Sequence, residues 1–395
     1  MNATQKNNTL KTLAKLLIKN KQSIIDSNQQ DLSACRNIEE SMLDRLKVDE
    51  NKILGMISAL NFAIKSDDPE GKILYSYVHR NGLKIENKTV PFGKIMIIYE
   101  SRPDVTIEAA ITAFKAGNKI LLKGGKEARK TNMLLAKLWQ EALSLNGLDK
   151  NYVVYLDLTR EETQDLIKSN NHHLNLIIPR GGEELINFVT RNTNIPVIVS
   201  GRGNNFLYVD KESDFEMAIK IILNGKQRVS VCNALDKVLI HKEIPNIKLK
   251  ISNLVNKLKV NNIKVLGDKA ICRLNRQVRE IEDEAIFYEE FLSSKMLLTI
   301  VKNNPEAINL INKYSGGHSA SIITTKIQTA LKFQNEVDCA VVYHNASTRF
   351  TDGGQFGFGA EIAISTQKLH FRGPIGINQL VTNKWFVYGD GQIRE

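Results

Sequence analysis

The sequence predicts an α/β protein built on doubly wound, mostly parallel sheets. Short apolar runs such as KIMII (94–98) and YVVYL (152–156) alternate with stretches whose apolar residues recur at helical spacing. This alternation pauses near Cys232 and then resumes as a second run. With 395 residues, the chain is long enough to form two such domains with full hydrophobic cores.

Amphipathic helices are predicted at the start of the chain, because apolar residues fall near one face of each. In the first helix these residues are Leu10, Leu13, Leu17 and Ile24, and in the second Leu43, Leu46, Ile53, Ile57 and Leu60. Residues 73–93 then predict a β-hairpin that turns at Asn81-Gly82, since Asn-Gly favours a tight turn with positive φ angles.

The remaining elements continue the alternation in two runs. Strands predicted in the first run are KIMII, KILL, YVVYL, LNLII, PVIV and FLYV. Its helices are predicted at IEAAITAFKAG, in a long stretch that follows KILL and ends at about residue 145, and at EELINFVTRN. Strands predicted in the second run are KVLIH, IKVL, KMLLTIV, SASIITT and CAVVYH, with helices at PEAINLINKY and KIQTALKFQNEV. No obvious linker separates the runs, so we expect two packed α/β domains with a ligand cleft near Cys232.

The composition is typical of a globular protein in a reducing compartment. Hydrophobic residues make up 42% and charged residues 25% of the chain, and its apolar runs are far too short to cross a bilayer. The basic start MNATQKNNTLKTLAKLLIKNK is interpreted as a structural helix rather than a transit peptide, since Asp26 and Asp31 continue its pattern. The four cysteines show neither a CxxC pair nor metal-ligand spacing, so we expect free thiols, no metal and a cytoplasmic location.

The net charge of +11 leaves a second class of function open, because basic proteins associate with polyanions such as nucleic acids. The Lys and Arg residues are spread along the whole chain, however, and no known nucleic-acid-binding module is present. Local basic sites for an anionic substrate and a phosphorylated cofactor explain the charge equally well. Salt-sensitive retention on DNA without cofactor binding would favour the nucleic-acid interpretation.

Glycine-rich turns between a strand and a helix are candidate phosphate sites, because helix N-termini and bare amides bind phosphate. LLKGGKEARK (121–130) and IIPRGGEEL (177–185) have this placement. GRGNNF (201–206) fails as a dinucleotide fingerprint, since Phe206 occupies the position of the third glycine. For any single turn, the alternative is that the glycines only permit a tight bend.

Cys232 lies between a polar turn and an apolar strand in RVSVCNALDKVLIHK (228–242), whereas a buried cysteine usually lies inside an apolar run. On these residues alone two interpretations stay open, a catalytic nucleophile and an inert small hydrophobic residue. Cys35, Cys272 and Cys339 are interpreted as inert. The histidines form no cluster with metal-site spacing.

Long stretches of the chain resemble one enzyme family. They include VPFGKIMIIYESRPDVTIEAA, GNKILLKGGKEARKTN, SVCNALDKVLIH, NKYSGGHSASI and NEVDCAVVYHNASTRFTDGGQFGFGAEIAISTQKLHFRGPIG, and they run from MLDRLKVDENKI (42–53) to the closing GDGQIRE. The chain thereby resembles the gamma-glutamyl phosphate reductases, also called glutamate-5-semialdehyde dehydrogenases, of the aldehyde dehydrogenase superfamily. This resemblance implies an aldehyde-dehydrogenase-like fold with a Rossmann-like cofactor domain, an α/β catalytic domain and a small oligomerisation hairpin.

The resemblance also implies an activity and a division of the chain. Residues 1–72 and 93–225 would form an NADPH-binding domain, residues 226–362 a catalytic domain, and residues 73–92 and 376–390 the contacts of a homo-oligomer. The implied reaction is the NADPH-dependent reduction of L-glutamate 5-phosphate to L-glutamate 5-semialdehyde, with phosphate release, in proline biosynthesis. A separate glutamate 5-kinase is a candidate partner. The nearer rival is an aldehyde dehydrogenase-like reductase of another acyl substrate.

Individual residues receive roles from the same resemblance. Cys232 occupies the place of the catalytic cysteine, and Ser101 the place of an oxyanion-binding residue. Lys123 and Lys126 would contact the cofactor, the latter through the 2′-phosphate of NADPH, and Glu290 resembles the glutamate that holds the nicotinamide ribose. The cofactor loop would consist of Pro179, Arg180, Gly181 and Gly182.

Polar residues of two segments are candidates to bind the phosphate, carboxylate and ammonium of the substrate: Arg102, Asn345, Ser347, Thr348 and Arg349. An arginine fork suits either phosphate or carboxylate. For Arg349 a structural salt bridge is the alternative.

Three positions depart from patterns in related enzymes. Asp104 follows ESRP where many bacterial relatives carry Asn, and Asn205-Phe206 replaces the usual Cys-His pair, so no function is assigned to either position. The general-base glutamate of hydrolytic aldehyde dehydrogenases is missing, as in the whole reductase family. Its absence fits a reaction in which phosphate, rather than water, exchanges with a thioester.

Overall fold

The computed structural model describes residues 1–35 and 40–394, and it confirms the predicted α/β fold with parallel sheets. Residues 36–39 of the predicted cofactor domain and the closing Glu395 lie outside the described residues. Within the described chain no helix combines the length and the apolar composition that crossing a membrane requires.

The helices are α1 (Ala3–Lys19), α2 (Lys21–Ala34), α3 (Glu40–Leu46), α4 (Glu50–Lys65), α5 (Val105–Lys115), α6 (Arg129–Leu145), α7 (Arg160–Ser169), α8 (Glu183–Asn192), α9 (Phe215–Gly225), α10 (Ile247–Val260), α11 (Lys269–Leu274), α12 (Asn304–Tyr314) and α13 (Ile327–Glu336). The strands are β1 (Ile73–Val78), β2 (Lys84–Pro91), β3 (Lys94–Tyr99), β4 (Lys119–Lys123), β5 (Val153–Tyr155), β6 (Leu176–Arg180), β7 (Asn205–Val209), β8 (Leu235–His241), β9 (Lys264–Gly267), β10 (Arg279–Glu280), β11 (Lys295–Val301), β12 (Ser319–Ile323), β13 (Val341–His344), β14 (Ala363–Ser365), β15 (Gly373–Ile375) and β16 (Val381–Tyr388).

Each of the two helices predicted at the start of the chain is divided in two. Asn20 separates α1 from α2, and its side-chain amide donates to the Leu16 carbonyl at the end of α1 (2.8 Å). Asp49 begins α4 as its N-cap, accepting a hydrogen bond from the Lys52 amide (3.0 Å). A polar residue that satisfies backbone groups at a helix end competes with continuation of the helix.

The described chain divides into two compact units. Unit 1 comprises Met1–Val199, Gly357–Ala363 and Pro374–Glu395, and unit 2 comprises Ser200–Phe356 and Ile364–Gly373. The division after Val199 differs from the predicted boundary after residue 225, because β7 pairs with β8 and β12 and so belongs to the sheet of unit 2. The predicted strand PVIV (196–199) makes only an isolated bridge between Val197 and Ile177.

The parallel sheet of unit 1 has the strand order β5-β4-β3-β6. Along β3, Ile95, Ile97 and Tyr99 face a core that includes residues of α1, α4, α5 and α6, whereas Met96 and Ile98 face a second apolar cluster. A strand that alternates between two cores is covered on both sides, as in a doubly wound fold. The carboxyl ends of β3, β4 and β6 therefore share one edge of the sheet, which is where three of the predicted site segments begin.

The predicted hairpin of unit 1 is confirmed, and it gains a third strand. β1 and β2 are antiparallel and joined by a turn in which Gly82 has a φ of +89°, a value that favours glycine. β16 pairs with the other edge of β2, from Val381 opposite Pro91 to Tyr388 opposite Lys84. β1 and β16 are thus the edge strands, and every residue of β1 is exposed.

The parallel sheet of unit 2 has the order β10-β9-β11-β8-β7-β12-β13. Successive residues of β7 face opposite cores, with Leu207 and Val209 in one cluster and Phe206 and Tyr208 in the other. β7 and β8 lie side by side in the interior of this sheet. The segments before them, which contain Gly203 and Cys232, are therefore brought together.

Candidate active site

Cys232 is held in the turn between α9 and β8, where its side chain is partly exposed. Its carbonyl oxygen accepts a hydrogen bond from Nδ2 of Asn205 (2.7 Å). The neighbouring chain packs so tightly that a Cβ on Gly203 would lie 2.6 Å from the Cα of Cys232. A close backbone approach of this kind admits only glycine.

The remaining cysteines lie in surroundings that disfavour the thiolate. Burial raises the pKa of Cys35 and Cys272, and it raises the pKa of Cys339 to about 11. Since the thiolate is the nucleophilic form of cysteine, these residues fit the predicted role of inert thiols.

Asn233, the residue after Cys232, joins the cysteine turn to the predicted substrate segment. Its Nδ2 donates to the carbonyls of Arg349 (3.1 Å) and Thr351 (2.9 Å), and its Oδ1 accepts from the Arg349 guanidinium. Thr348 Oγ1 donates to the Asn233 carbonyl (2.9 Å). The structure therefore brings Cys232, Thr348 and Arg349 into one part of unit 2, across more than a hundred residues of sequence.

Arg349 donates to the side-chain oxygen of Asn233 rather than to a carboxylate. Its geometry therefore differs from the salt bridge considered as the alternative. Burial lowers the pKa of the guanidinium, the nearby Arg228 lowers it further, and Asp352 and Cys232 raise it. The guanidinium is thus bonded to the residue that follows Cys232.

Asn345 and Ser347 shape the loop in which they lie. Asn345 has a φ of +53°, and its side-chain amide bonds both the N–H and the carbonyl of Thr324 (3.0 Å each). Ser347 is buried, and its Oγ accepts a hydrogen bond from the Arg349 amide (3.3 Å). These contacts give both side chains a backbone-supporting role alongside the substrate role that was predicted.

Glu290 lies in a segment that is anchored to β8 by charged residues the sequence analysis did not single out. Lys237 donates to the carbonyl of Glu289, and its ammonium lies 3.8 Å from the centre of the Phe291 ring. The Phe291 amide donates to Asp236 Oδ2 (2.8 Å). In the sequence, the feature that could have indicated this anchor is a charged pair, Asp236-Lys237, at the start of a strand whose residues are all buried.

The charges of this anchor are balanced within a buried group. Asp236 forms an ion pair with Lys226, and both side chains are almost completely buried. Burial lowers the pKa of Lys237 to about 8 and also lowers that of Lys226, although Asp236 opposes both shifts. A buried ion pair fixes the position of its partners, because a charge left without its partner there would be costly.

In unit 1, Ser101 follows β3 in a turn that leads to α5. Its side chain is buried and its backbone has a φ of +31°. The turn after β4 lies against it, because a Cβ on Gly125 would be 3.2 Å from the Ser101 amide and one on Gly124 would be 3.1 Å from the Tyr99 ring. The two glycines thus allow the turns after adjacent strands to meet.

Lys123 and Lys126 flank those glycines in different surroundings. Lys123 is partly buried and donates to the Gly124 carbonyl (2.7 Å), and burial lowers its pKa against the opposing charges of Asp157 and Glu127. Lys126 is exposed at the start of the short helix that leads into α6. The next cation along the chain, Arg129, is paired with Asp157 (Nε to Oδ1, 2.7 Å).

The Pro179–Gly182 turn ends β6 and begins α8. A Cβ on Gly181 would lie 2.6 Å from the carboxyl carbon of Glu100, whose Oε2 accepts from the Gly182 amide (3.1 Å). The Arg180 guanidinium donates to the carbonyls of Glu361 (3.4 Å) and Ile362, so its contacts hold the chain. The Glu100 carboxylate therefore already bonds the N-terminus of α8.

Arg102 follows Ser101 among further charged groups. Burial raises the pKa of Glu108 well above its usual range, Asp104 adds to the shift, and Arg180 and Arg102 oppose it. Asp104 also lies 3.9 Å from the ammonium of Lys52. Arg102 thus belongs to a cluster of mixed charge at the start of α5.

The sequence model of the Aldehyde dehydrogenase family matches residues 1–268 and 279–361. A relative described as "Gamma-glutamyl phosphate reductase" from Clostridium botulinum is 43% identical over 100% of this chain and 96% of its own length. The chain belongs to the aldehyde dehydrogenase family, among the gamma-glutamyl phosphate reductases. A relative of the same description from a Nitratiruptor species is also 43% identical, over 100% of this family member and 96% of its own length.

Solved structures agree with this membership. The crystal structure of gamma-glutamyl phosphate reductase from Thermotoga maritima is 40% identical to this family member, covers 100% of it and 95% of its own chain, and has a TM-score of 0.93. An acetylating aldehyde dehydrogenase from Geobacillus thermoglucosidasius is 17% identical, with a TM-score of 0.73 and coverage of 100% and 94%. That second likeness shows the fold alone. Aldehyde dehydrogenases use a nicotinamide cofactor, and the fold implies one here.

The residues of unit 1 fit such a cofactor. Glycine pairs follow β4 and β6, strands on either side of β3, and of these four glycines only Gly182 has open space where a Cβ would stand. Lys123 and Lys126 add cations beside the first pair. Ammonium groups suit the phosphates of a nicotinamide dinucleotide. Within the described residues no group of three or more His, Cys, Asp and Glu is arranged to hold a metal ion.

Proposed function

We propose that this family member reduces L-glutamate 5-phosphate to L-glutamate 5-semialdehyde with NADPH, releasing phosphate, as a cytoplasmic enzyme of proline biosynthesis. The observation that carries the proposal is the similarity over the whole chain to relatives described as gamma-glutamyl phosphate reductase. A separate glutamate 5-kinase would supply the acyl phosphate.

Acyl transfer to Cys232 is the first chemical step of this proposal. The Cys232 thiolate attacks the acyl carbon, a C–S bond forms, and the C–O bond to phosphate breaks. The Cys232 amide is a candidate donor to the tetrahedral oxyanion. Ser101 keeps the oxyanion role that the resemblance implies for it. The product is a thioester on Cys232 and free phosphate.

Reduction of the thioester completes the reaction. When bound, NADPH supplies the hydride, and Lys123, Lys126, the Pro179–Gly182 turn and Glu290 are the residues that would hold it. The Cys232 sulfur keeps the acyl group in place during this step. It then leaves as the C–S bond breaks, and the aldehyde is released. No general base is needed to activate water, because phosphate is the group exchanged.

The direct test measures the reverse reaction with the purified protein. Glutamate 5-semialdehyde, NADP and inorganic phosphate should give phosphate-dependent formation of NADPH, whereas other aldehydes should react far more slowly. A faster reaction with another aldehyde would replace the substrate assignment. No reaction with glutamate semialdehyde at any phosphate concentration would refute it.

Cofactor preference is expected to depend on Lys126. Its exposed ammonium at the β4 turn would pair with the 2′-phosphate of NADPH, an interaction worth about 1–3 kcal/mol when charge-assisted. Lys126→Glu should shrink or reverse a preference for NADPH over NADH, mainly by raising the KM for NADPH. Lys137→Glu changes the charge equally at an exposed position of α6 and should leave the preference intact. Unchanged kinetics in Lys126→Glu would place Lys126 in solvent.

A homo-oligomer is proposed through the antiparallel sheet of unit 1. Val78 on β1 and Trp385 on β16 are 62% and 55% exposed, and other apolar side chains on the same edge strands are also exposed. Long apolar edge strands pair readily with another chain. The double variant Val78→Lys/Trp385→Lys should lower the mass measured by light scattering to that of a monomer. Ile18→Lys, at an equally exposed site on α1, is the control, and a monomeric wild type would contradict the proposal.

A further inference from the structure

Asn205 occupies a position to which the sequence analysis assigned no function. Its side chain is fully buried at the start of β7. Its Nδ2 donates to the carbonyls of Gly203 (3.0 Å), Cys232 (2.7 Å) and Ala234 (2.7 Å). One amide group therefore bonds the backbone of the cysteine turn at two places.

The two bonded carbonyls stand on either side of Asn233. The Cys232 carbonyl belongs to the peptide between Cys232 and Asn233, and the Ala234 carbonyl to the peptide between Ala234 and Leu235. Because both carbonyls are held, neither peptide plane can rotate freely. Asn233 in turn bonds the Arg349 segment. Asn205 thus holds the turn that carries Cys232, and Asn233 in the same turn holds the Arg349 guanidinium.

The chemistry of an amide suits this position. The carbonyls of Cys232 and Ala234 are served by the Asn205 amide group, which has two N–H donors, and a side chain without donors would remove both hydrogen bonds. The thiol that the resemblance implies for this position has a single, weak S–H donor. The asparagine amide therefore makes a pair of contacts that a thiol could not make.

We propose that Asn205 is a positioning residue for Cys232, which holds the backbone of the nucleophile by hydrogen bonds to its carbonyl and to that of Ala234. The inference rests on the proposed catalytic role of Cys232. It concerns a position at which this chain departs from the Cys-His pair that the resemblance implies.

The test compares Asn205→Leu with Asn204→Leu. Asn204 is equally buried, and its Nδ2 also donates to two carbonyls, those of Phe287 (2.7 Å) and Tyr314 (2.8 Å), but it does not bond Cys232. Both variants lose the same kind of buried hydrogen bonds, so both should lower the melting temperature. Only Asn205→Leu should lower kcat, by about 10- to 100-fold for a small displacement of the nucleophile, with the KM for NADPH nearly unchanged.

A second readout follows Cys232 without any substrate. Alkylation by iodoacetamide, quantified for the Cys232 peptide by mass spectrometry across a pH series, should be altered in Asn205→Leu and normal in Asn204→Leu. Asn205→Ser retains one donor, so its kcat and its Cys232 alkylation should lie between those of wild type and Asn205→Leu. If the leucine variant does not fold, the serine variant provides the comparison. Equal effects of Asn204→Leu and Asn205→Leu on kcat and alkylation would overturn the positioning role.

Failure of the proposed function is distinguishable in the same experiment. A wild type inactive on glutamate semialdehyde but with Cys232 alkylation that depends on Asn205 would refute the substrate and support the positioning role. Normal turnover and normal alkylation in the Asn205 variants would refute the positioning role and leave the reaction standing.

Discussion

Cys232→Ser is expected to abolish turnover while NADPH still binds with nearly unchanged affinity. The substitution is almost isosteric, so the bonds from Asn205 to the turn and from Asn233 to Arg349 should persist. A serine hydroxyl is a far weaker nucleophile than a cysteine thiolate, because its proton is much harder to remove. Only the nucleophile is therefore lost. Steady-state assays and cofactor fluorescence titration would measure the two effects separately.

The other thiols provide the control for this experiment. Three variants, Cys35→Ala, Cys272→Ala and Cys339→Ala, should lower the melting temperature but leave kcat close to that of wild type. Their kcat should change little because burial raises the pKa of each thiol and so disfavours the nucleophilic thiolate. Substantial activity in Cys232→Ser would exclude the covalent mechanism. Loss of activity in an alanine variant that remains folded would transfer the role of nucleophile to that cysteine.

Arg349→Lys is expected to raise KM or lower kcat while the melting temperature stays close to that of wild type. Lysine keeps the charge but has no planar fork, so it cannot hold Asn233 Oδ1 and a substrate anion at the same time. Loss of such a desolvated contact would cost about 2–5 kcal/mol in kcat/KM. Arg349→Met removes the charge as well, and it should lower kcat/KM further, because the substrate anion loses its cation.

Arg372→Lys is the matched comparison for Arg349→Lys. Arg372 makes the kind of structural bond that was the alternative for Arg349, donating to Asp338 Oδ1 (2.7 Å) and to the Asp338 carbonyl (2.9 Å). Its replacement should lower stability and spare the kinetics of the folded enzyme. If Arg349→Lys instead unfolds the protein, as a structural bond would require, the substrate role of Arg349 is wrong.

Local sequence patterns predicted the elements that depend on neighbouring residues. The strand–helix alternation and the Asn81-Gly82 hairpin are confirmed because periodicity and turn chemistry act over a few residues. The pairing of β16 with β2, and the membership of β7 in the second sheet, depend on partners far away in the chain. No local pattern encodes them.

The candidate site shows the same division. Resemblance indicated Cys232, and the strand boundary at this residue drew attention to it. The bonds that place it reach from Asn205 across 27 positions and from Asn233 across 116, so they emerge only when the sheet forms. Asn205 was set aside because it differs from relatives, although its amide is what bonds the turn here.

The pairing of β16 with β2 has a consequence for the order in which the protein assembles during synthesis. Unit 1 contains both the first 199 residues and the segment Pro374–Glu395, and Asn118 donates to the Leu380 carbonyl in its interior (2.8 Å). A ribosome that has translated the first half of the chain has therefore produced a domain that still lacks a strand and part of its core. The sheet of unit 2 draws all its strands from residues 205–344, so its strands are available earlier. Completion of unit 1 is consequently a late event of high contact order, and the unpaired edge of β2 is exposed to chaperones and aggregation until then.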